Sequence, residues 1–150
     1  MLIIMKDFTV FLLLLIIIWN IIHKLHLKQK LETMYELLDK VVHMLNDNNI
    51  PYHLEAGTLL GCIRENGLMS KDTDVDVTIH LTMWENLKEI DIAKYGLIKK
   101  RCRGNSYSPC GWPNGHIYSV RLPYTLMYCD IYANPAFPKL TEYKLKEKVY

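Results

Sequence analysis

The sequence predicts an α+β domain, a mixed β-sheet with helices packed on it, preceded by an N-terminal transmembrane helix. Three observations carry that reading. Residues 8–22 (FTVFLLLLIIIWNII) form an apolar run without a charge. The 150-residue chain is one domain's worth, and half of its residues are hydrophobic, enough for a core. Beyond the apolar run, the hydrophobic period alternates between helical and strand values in the order α-β-α-β-α-β-β-β, the pattern of helices layered on a mixed sheet.

As a helix, residues 8–22 would span roughly 22 Å, short of a hydrocarbon core of ~30 Å. Including residues 2–5 brings the span close, with Lys6 and Asp7 left near one end to snorkel or pair. A cleaved signal peptide wants small residues after its apolar run, whereas Trp19, Asn20, Ile21, Ile22 and His23 follow here. An uncleaved signal anchor therefore fits better than a signal peptide, and a domain this small has little room to bury such a helix. Residues 1–26 are read as the anchor of a single-pass membrane protein with its basic flank, and residues 27–150 as the folded domain. The lysines of residues 23–30 place the domain on the cytosolic side by the positive-inside rule.

Leu31, Met34, Tyr35, Leu38, Val41, Val42 and Leu45 recur at helical spacing, so residues 27–46 read as an amphipathic helix ended by Asn46, Asp47, Asn48, Asn49 and Pro51. Residues 52–55 are a short strand. Gly57 and Thr58 open a second helix that Gly67 closes. Residues 73–81 alternate, with Val75, Val77, Ile79 and Leu81 on one face and Asp74, Asp76, Thr78 and His80 on the other. Thr82 with Glu85 has capping-box spacing for a helix running to Lys94 and stopped by Gly96. Residues 97–103, 116–122 and 126–133 are β-rich, the last two separated by Pro123 and Tyr124 and so neighbours. Residues 139–150 form a charged, helix-compatible tail.

Charge and cysteine content exclude two classes. Residues 1–30 carry four lysines against Asp7, while the remaining chain holds 14 basic and 15 acidic side chains. The basic balance thus belongs to the flanks of the apolar run, which argues against nucleic acid as a partner. Cys62, Cys102, Cys110 and Cys129 contain no C-x-x-C pair, so a zinc module is disfavoured. Cys62 and Cys129 read as core fillers, whereas Cys102 and Cys110 flank a polar loop and are placed to pair in an oxidising lumen.

Three features bear on chemistry. Gly57 and Thr58 stand between a strand and a helix, where free backbone amides favour an anion, although the same pair also serves as an ordinary turn. Asp74 and Asp76 project from one face of a strand, and two adjacent carboxylates repel unless a cation lies between them. Oxygen ligands of this kind suit Mg2+ or Mn2+. An EF-hand loop starting at Asp72 fails, because its sixth position is Val77 and its twelfth Met83. The plain alternative is a solvated strand edge blunted by charge. Asp130 is the lone acid of an apolar strand and needs a partner: a cation, a hydrogen-bond network or a base such as Arg121.

A glycine-hydroxyl turn at a helix start, D-x-D on the next strand and a third aspartate on a later strand form the plan of the nucleotidyltransferase fold. The stretch AGTLLGCIRENGLMSKDTDVDVTI resembles the LicD/fukutin family, whose motif is of the type G-T-L-L-G-x-x-R followed by G-hydrophobic-I-P-W-D-D-D-I-D, and YCDIY is similar to its third-carboxylate strand. The resemblance implies a nucleotidyltransferase-like mixed sheet. It also implies transfer of a substituted phosphate, phosphocholine or an alditol phosphate, from a CDP-linked donor to a glycan or lipid-linked acceptor. On that basis Asp74, Asp76 and Asp130 are the catalytic and metal-holding residues, and Gly57, Thr58 and Arg64 bind substrate. Glu55, where family members often have Asp, has a supporting role. Ser70, Lys71 and Thr73 depart from the family's Pro, Trp and Asp, and Tyr150 comes soon after the third-carboxylate strand, so a domain shortened at its C-terminus is expected. Lumenal fukutin-like relatives imply the opposite topology to the lysines. Two rival functions stand beside the transferase: an inactive remnant acting as an accessory or binding protein, and a nucleotidyltransferase that moves NMP.

Overall fold

The computed structural model describes residues 2–106 and 115–135. Cys110, and with it the question of whether it pairs with Cys102, lies outside these residues, as does the tail of residues 139–150.

The apolar run and the amphipathic segment form one unbroken helix, α1 (Leu2–Asp47). Residues 10–22 are exposed throughout, and none of the most apolar 18-residue stretch is buried among the described residues. The helix is long and apolar enough to cross a membrane. Its second half turns inward. Met34, Leu37, Val41, Met44 and Leu45 are fully buried at i, i+3 and i+4 spacing, each worth about 2 kcal/mol of apolar burial. Leu37 and Met44 thus centre the packed stripe, whereas Tyr35 is exposed and Leu38 and Val42 are half-buried at its margin. Asn49 ends the helix in a left-handed conformation (φ 54°), and Ile50 N–H closes back on the Leu45 carbonyl.

Strand β1 (Tyr52–Leu54) leads to helix α2 (Ala56–Glu65), then to β2 (Asp74–His80), the short helix α3 (Trp84–Glu89), β3 (Ile98–Ser106), β4 (Gly115–Arg121) and β5 (Tyr128–Asn134). The five strands form one mixed sheet in the order β1-β2-β5-β4-β3, with β2 and β5 parallel and every other neighbour antiparallel. Val75, Val77, Ile79, Cys129, Ile131, Tyr118, Val120 and Leu122 form the apolar face of the sheet and share a core with α1. Cys129 is the expected core filler, Cys62 is half-buried and Cys102 exposed.

Two local expectations change. The capping box at Thr82 and Glu85 does not form, because His80 Nδ1 accepts from Thr82 N–H and Glu85 pairs instead with Lys88. The single helix to Lys94 breaks into a 3-10 turn, α3 and a second 3-10 turn (Ile92–Tyr95), since Ile90 is extended and Asp91 caps anew by accepting from Ala93 N–H. Gly96 is the left-handed stop, as expected. At the end of α2 the left-handed residue is Asn66 (φ 53°), not Gly67.

Gly67 and Gly61 answer to close approach. A Cβ at Gly67 would collide with the Tyr35 hydroxyl, which accepts from Leu68 N–H. One at Gly61 would stand 2.6 Å from the Gly67 carbonyl oxygen. These glycines let residues 66–72 fold back over α2. Gly61→Ala is therefore expected to destabilise the full chain by about 1–3 kcal/mol, because the obstacle is backbone that cannot swing aside. Urea unfolding in detergent measures this, and an unchanged midpoint would refute the packing account.

Candidate active site on the polar face of the sheet

The alternation that buries Val75 and Val77 turns Asp74, Asp76 and Thr78 to the opposite face. Parallel register brings β5 alongside: Asp74 is abreast of Tyr128, Asp76 of Asp130 and Thr78 of Tyr132. Asp74 and Asp76 are half-buried and Asp130 is only 3 % exposed.

Burial, then the charges of Asp74 and Asp130, push the Asp76 carboxyl up to about 7, against a hydrogen bond from Tyr132 that lowers it. Burial and the same three carboxylates also raise the Tyr132 phenol well above its ordinary range. Asp130 is compensated. Its Oδ2 accepts from Arg101 Nη2 (2.6 Å) and its Oδ1 from the Ser119 hydroxyl, while Arg101 Nε also donates to Ser119 (2.8 Å). The expected partner Arg121 is spent elsewhere, on the carbonyls of Leu122, Pro123 and Thr125.

Arg101 reaches this face through an irregularity. Lys99 pairs with Val120, but the next partner of β4, Ser119, is opposite Arg101 rather than Lys100. The extra residue is a β-bulge, which lets two successive side chains address one face. Lys100 Nζ accordingly lies over the Tyr128 ring, 2.9 Å from its centroid, while Arg101 takes Asp130. Sequence reasoning missed both cations, because a bulge has no signature in the strand-like pattern of residues 97–103.

The helix start is arranged differently from the sequence expectation. The Thr58 hydroxyl is buried and accepts from Asp76 N–H (2.9 Å), so it positions β2 rather than facing a ligand. Gly57 lies beneath Asp72, since a Cβ there would stand 2.7 Å from Asp72 Oδ2. A carboxylate at the amide end of a helix is electrostatically favourable. Ala56, the first residue of α2, holds a left-handed φ of 46°, a strained conformation for a residue with a Cβ. Glu55 receives Thr78 Oγ1–H (2.8 Å) and pairs with His53 (3.0 Å). Arg64 is exposed in the last turn of α2, about 10 Å of helical rise from Gly57. The fold therefore gathers Asp72, Asp74, Asp76, Asp130, Gly57 and Thr58 and leaves Arg64 at the far end of its helix.

Asp74 and Asp76 offer adjacent hard oxygen donors whose mutual repulsion a divalent cation would relieve, so these two fit Mg2+ or Mn2+. Asp130 fits less well, because both oxygens already accept from other side chains. Among the described residues, no three acidic, histidine or cysteine side chains converge as a ready-made ligand group.

Residues 49–140 match the family model LicD/FKTN/FKRP, nucleotidyltransferase domain, and the chain belongs to that family. It is also similar to an uncharacterized protein of Rickettsia typhi, 38 % identical over 52 residues, which cover 35 % of this chain and 17 % of that one. A second uncharacterized protein, from Rickettsia prowazekii, is 39 % identical over 51 residues, covering 34 % and 19 %. The chain thus aligns with less than a fifth of the length of either relative.

Two outcomes follow from the electrostatics. Replacing Arg101 by Met strands a buried carboxylate and is expected to cost about 3 kcal/mol, most of it recovered in the Arg101→Met/Asp130→Asn double variant. Denaturant titration of the three proteins measures this, and a double variant no better than the single one would refute it. The raised Asp76 carboxyl binds a proton in the folded state that the unfolded chain has already lost. Stability therefore falls as pH rises from about 4 through about 7 and then levels off. Asp76→Asn should remove that part of the slope, stabilising the chain at pH 8 by at least about 1 kcal/mol after allowance for solvent access. Parallel unfolding curves at pH 4.5 and 8 would contradict it if variant and wild type changed alike.

Proposed function

We propose that this LicD-family chain is a membrane-anchored, metal-dependent transferase that moves a substituted phosphate from a CDP-linked donor to a glycan or lipid-linked acceptor. The observation that carries the reading is the alignment of Asp74 and Asp76 beside Asp130, with Lys100 and Arg101 delivered to the same face. The exposed apolar half of α1 supports the anchor.

Asp74 and Asp76 would hold Mg2+ or Mn2+. The bound ion supplies charge neutralisation for the donor's pyrophosphate and for the departing nucleotide. Lys100 and Arg101 bring positive charge to the donor phosphates, a task the α2 start performs only if Asp72 leaves it. Asp130 orients Arg101 and Ser119. In the transfer, the acceptor hydroxyl oxygen bonds to the phosphorus distal to the cytidine, the bridging P–O bond breaks, and CMP leaves with the electron pair. The acceptor's proton passes to a carboxylate of this face.

The engagement of Asp130 by Arg101 and Ser119 favours one second reading, a binding protein without turnover. A single assay separates these readings and the transfer of NMP. The full chain in detergent is incubated with Mn2+ and either CDP-choline or CDP-ribitol, and separately with nucleoside triphosphates. CMP release that falls at least about 100-fold in Asp74→Asn and Asp76→Asn, with a raised KM for the donor in Lys100→Ala, is expected. Pyrophosphate release would signify NMP transfer instead. Nucleotide binding without either product would favour the binding protein.

A further inference from the structure

Away from the acid face, an open groove of about 480 Å³ lies between α1 and the loop joining β4 to β5. One wall is polar and comes from α1: His26, Gln29, Lys30 and Thr33. The other is residues 124–127, which end in the apolar side chains of Leu126 and Met127.

Three independent features bear on what this groove meets. The first is height. With residues 2–22 spanning about 31 Å, the hydrocarbon core ends near Ile22, and His26 lies about 6 Å of helical rise beyond it, within the headgroup layer. Because α1 continues unbroken into the core, the groove is held at that level. The second is the rigidity of the loop. Arg121 Nη1 donates to the Thr125 carbonyl (2.8 Å), Met127 N–H donates to Thr125 Oγ1 (3.1 Å), and the Tyr124 hydroxyl donates to Glu36 on α1. This well-braced loop presents Leu126 at 89 % exposure next to the exposed Tyr124, so two large apolar side chains stand together at the groove. The third is chemistry. Lys24, Lys28 and Lys30 follow the apolar run on the same helix, and Lys30 and His26 face the groove opposite Leu126. A polar, basic wall against an apolar one suits an amphiphile with an anionic head.

We propose that this groove is a phospholipid headgroup site, with the lipid phosphate against His26 and Lys30 and Leu126 reaching the upper acyl layer. The proposal rests on the reading of α1 as a membrane anchor. It bears on catalysis through two connections: Lys30 Nζ donates to the Ser70 carbonyl (3.1 Å), in the segment that leads to Asp72, and Met127 precedes Tyr128, the partner of Asp74. The headgroup layer is thereby joined to the acid face.

The test is photocrosslinking of the full chain in vesicles of radiolabelled phosphatidylcholine and phosphatidylglycerol, with a benzophenone amino acid placed singly at Ile16, Leu126 or Ala93. Ala93, beside the far end of α1, serves as the distant control. Expected are lipid adducts at Ile16 and Leu126, at least fivefold above Ala93, and a loss of at least threefold at Leu126 alone when His26→Glu and Lys30→Glu are combined. Adducts at Ile16 with Leu126 no higher than Ala93 would overturn the headgroup site while leaving the anchor intact. No adducts at Ile16 would overturn the anchor and the proposal together.

Discussion

The parallel register of β2 and β5 sets Asp76 directly abreast of Asp130, and much of the polar face follows from that crowding of like charge. Two neighbouring carboxylates, one half-buried and one buried, cannot both be left uncompensated. Asp130 is answered by Arg101 and Ser119, which requires β3 to carry an extra residue so that Arg101 faces inward. Among the described residues Asp76 has no such base, and its carboxyl keeps its proton to higher pH. The tension therefore concentrates at Asp74 and Asp76, at the open end of the face. An oxygen-binding cation with phosphate in attendance would resolve it there.

The glycines and the buried hydroxyl belong to the same arrangement. Gly61 and Gly67 let the connection after α2 lie on the helix and under Tyr35, which carries Asp72 back over Gly57. Thr58 then fixes α2 to the Asp76 backbone. A motif that in sequence resembles a ligand cradle is, in the fold, largely a device for registering one helix against one acidic strand. The backbone strain at Ala56 falls at the junction where that registration begins.

What was legible in the sequence was what depends on short-range periodicity. Val75, Val77 and Ile79 alternate because the strand is buried on one side, and the same alternation gave the facing of Asp74 and Asp76. The order of elements and the pairing of the last two strands also followed from local pattern and turn residues. Long-range register was not legible. The partner of Asp130 is Arg101 rather than Arg121, because a bulge at Lys100 shifts the pairing and no residue type announces it. The same holds for the helix stop near Ile90, where His80 and Asp91 supply caps that outcompete the Thr82 and Glu85 signature. That the Thr58 hydroxyl is inside follows only from the adjacency of α2 and β2, which local pattern does not show.

The unbroken course of α1 has a mechanical consequence. No hinge separates the lipid-compatible half of the helix from the half that forms the core, so the helix acts as a keyed shaft. The azimuth of the acid face about that shaft is set by the phase of the helix as it leaves the apolar segment. One residue inserted or deleted there turns the whole sheet by about 100° and shifts it by about 1.5 Å. The length of the apolar segment thus sets a direction for the acid face as well as a distance from it.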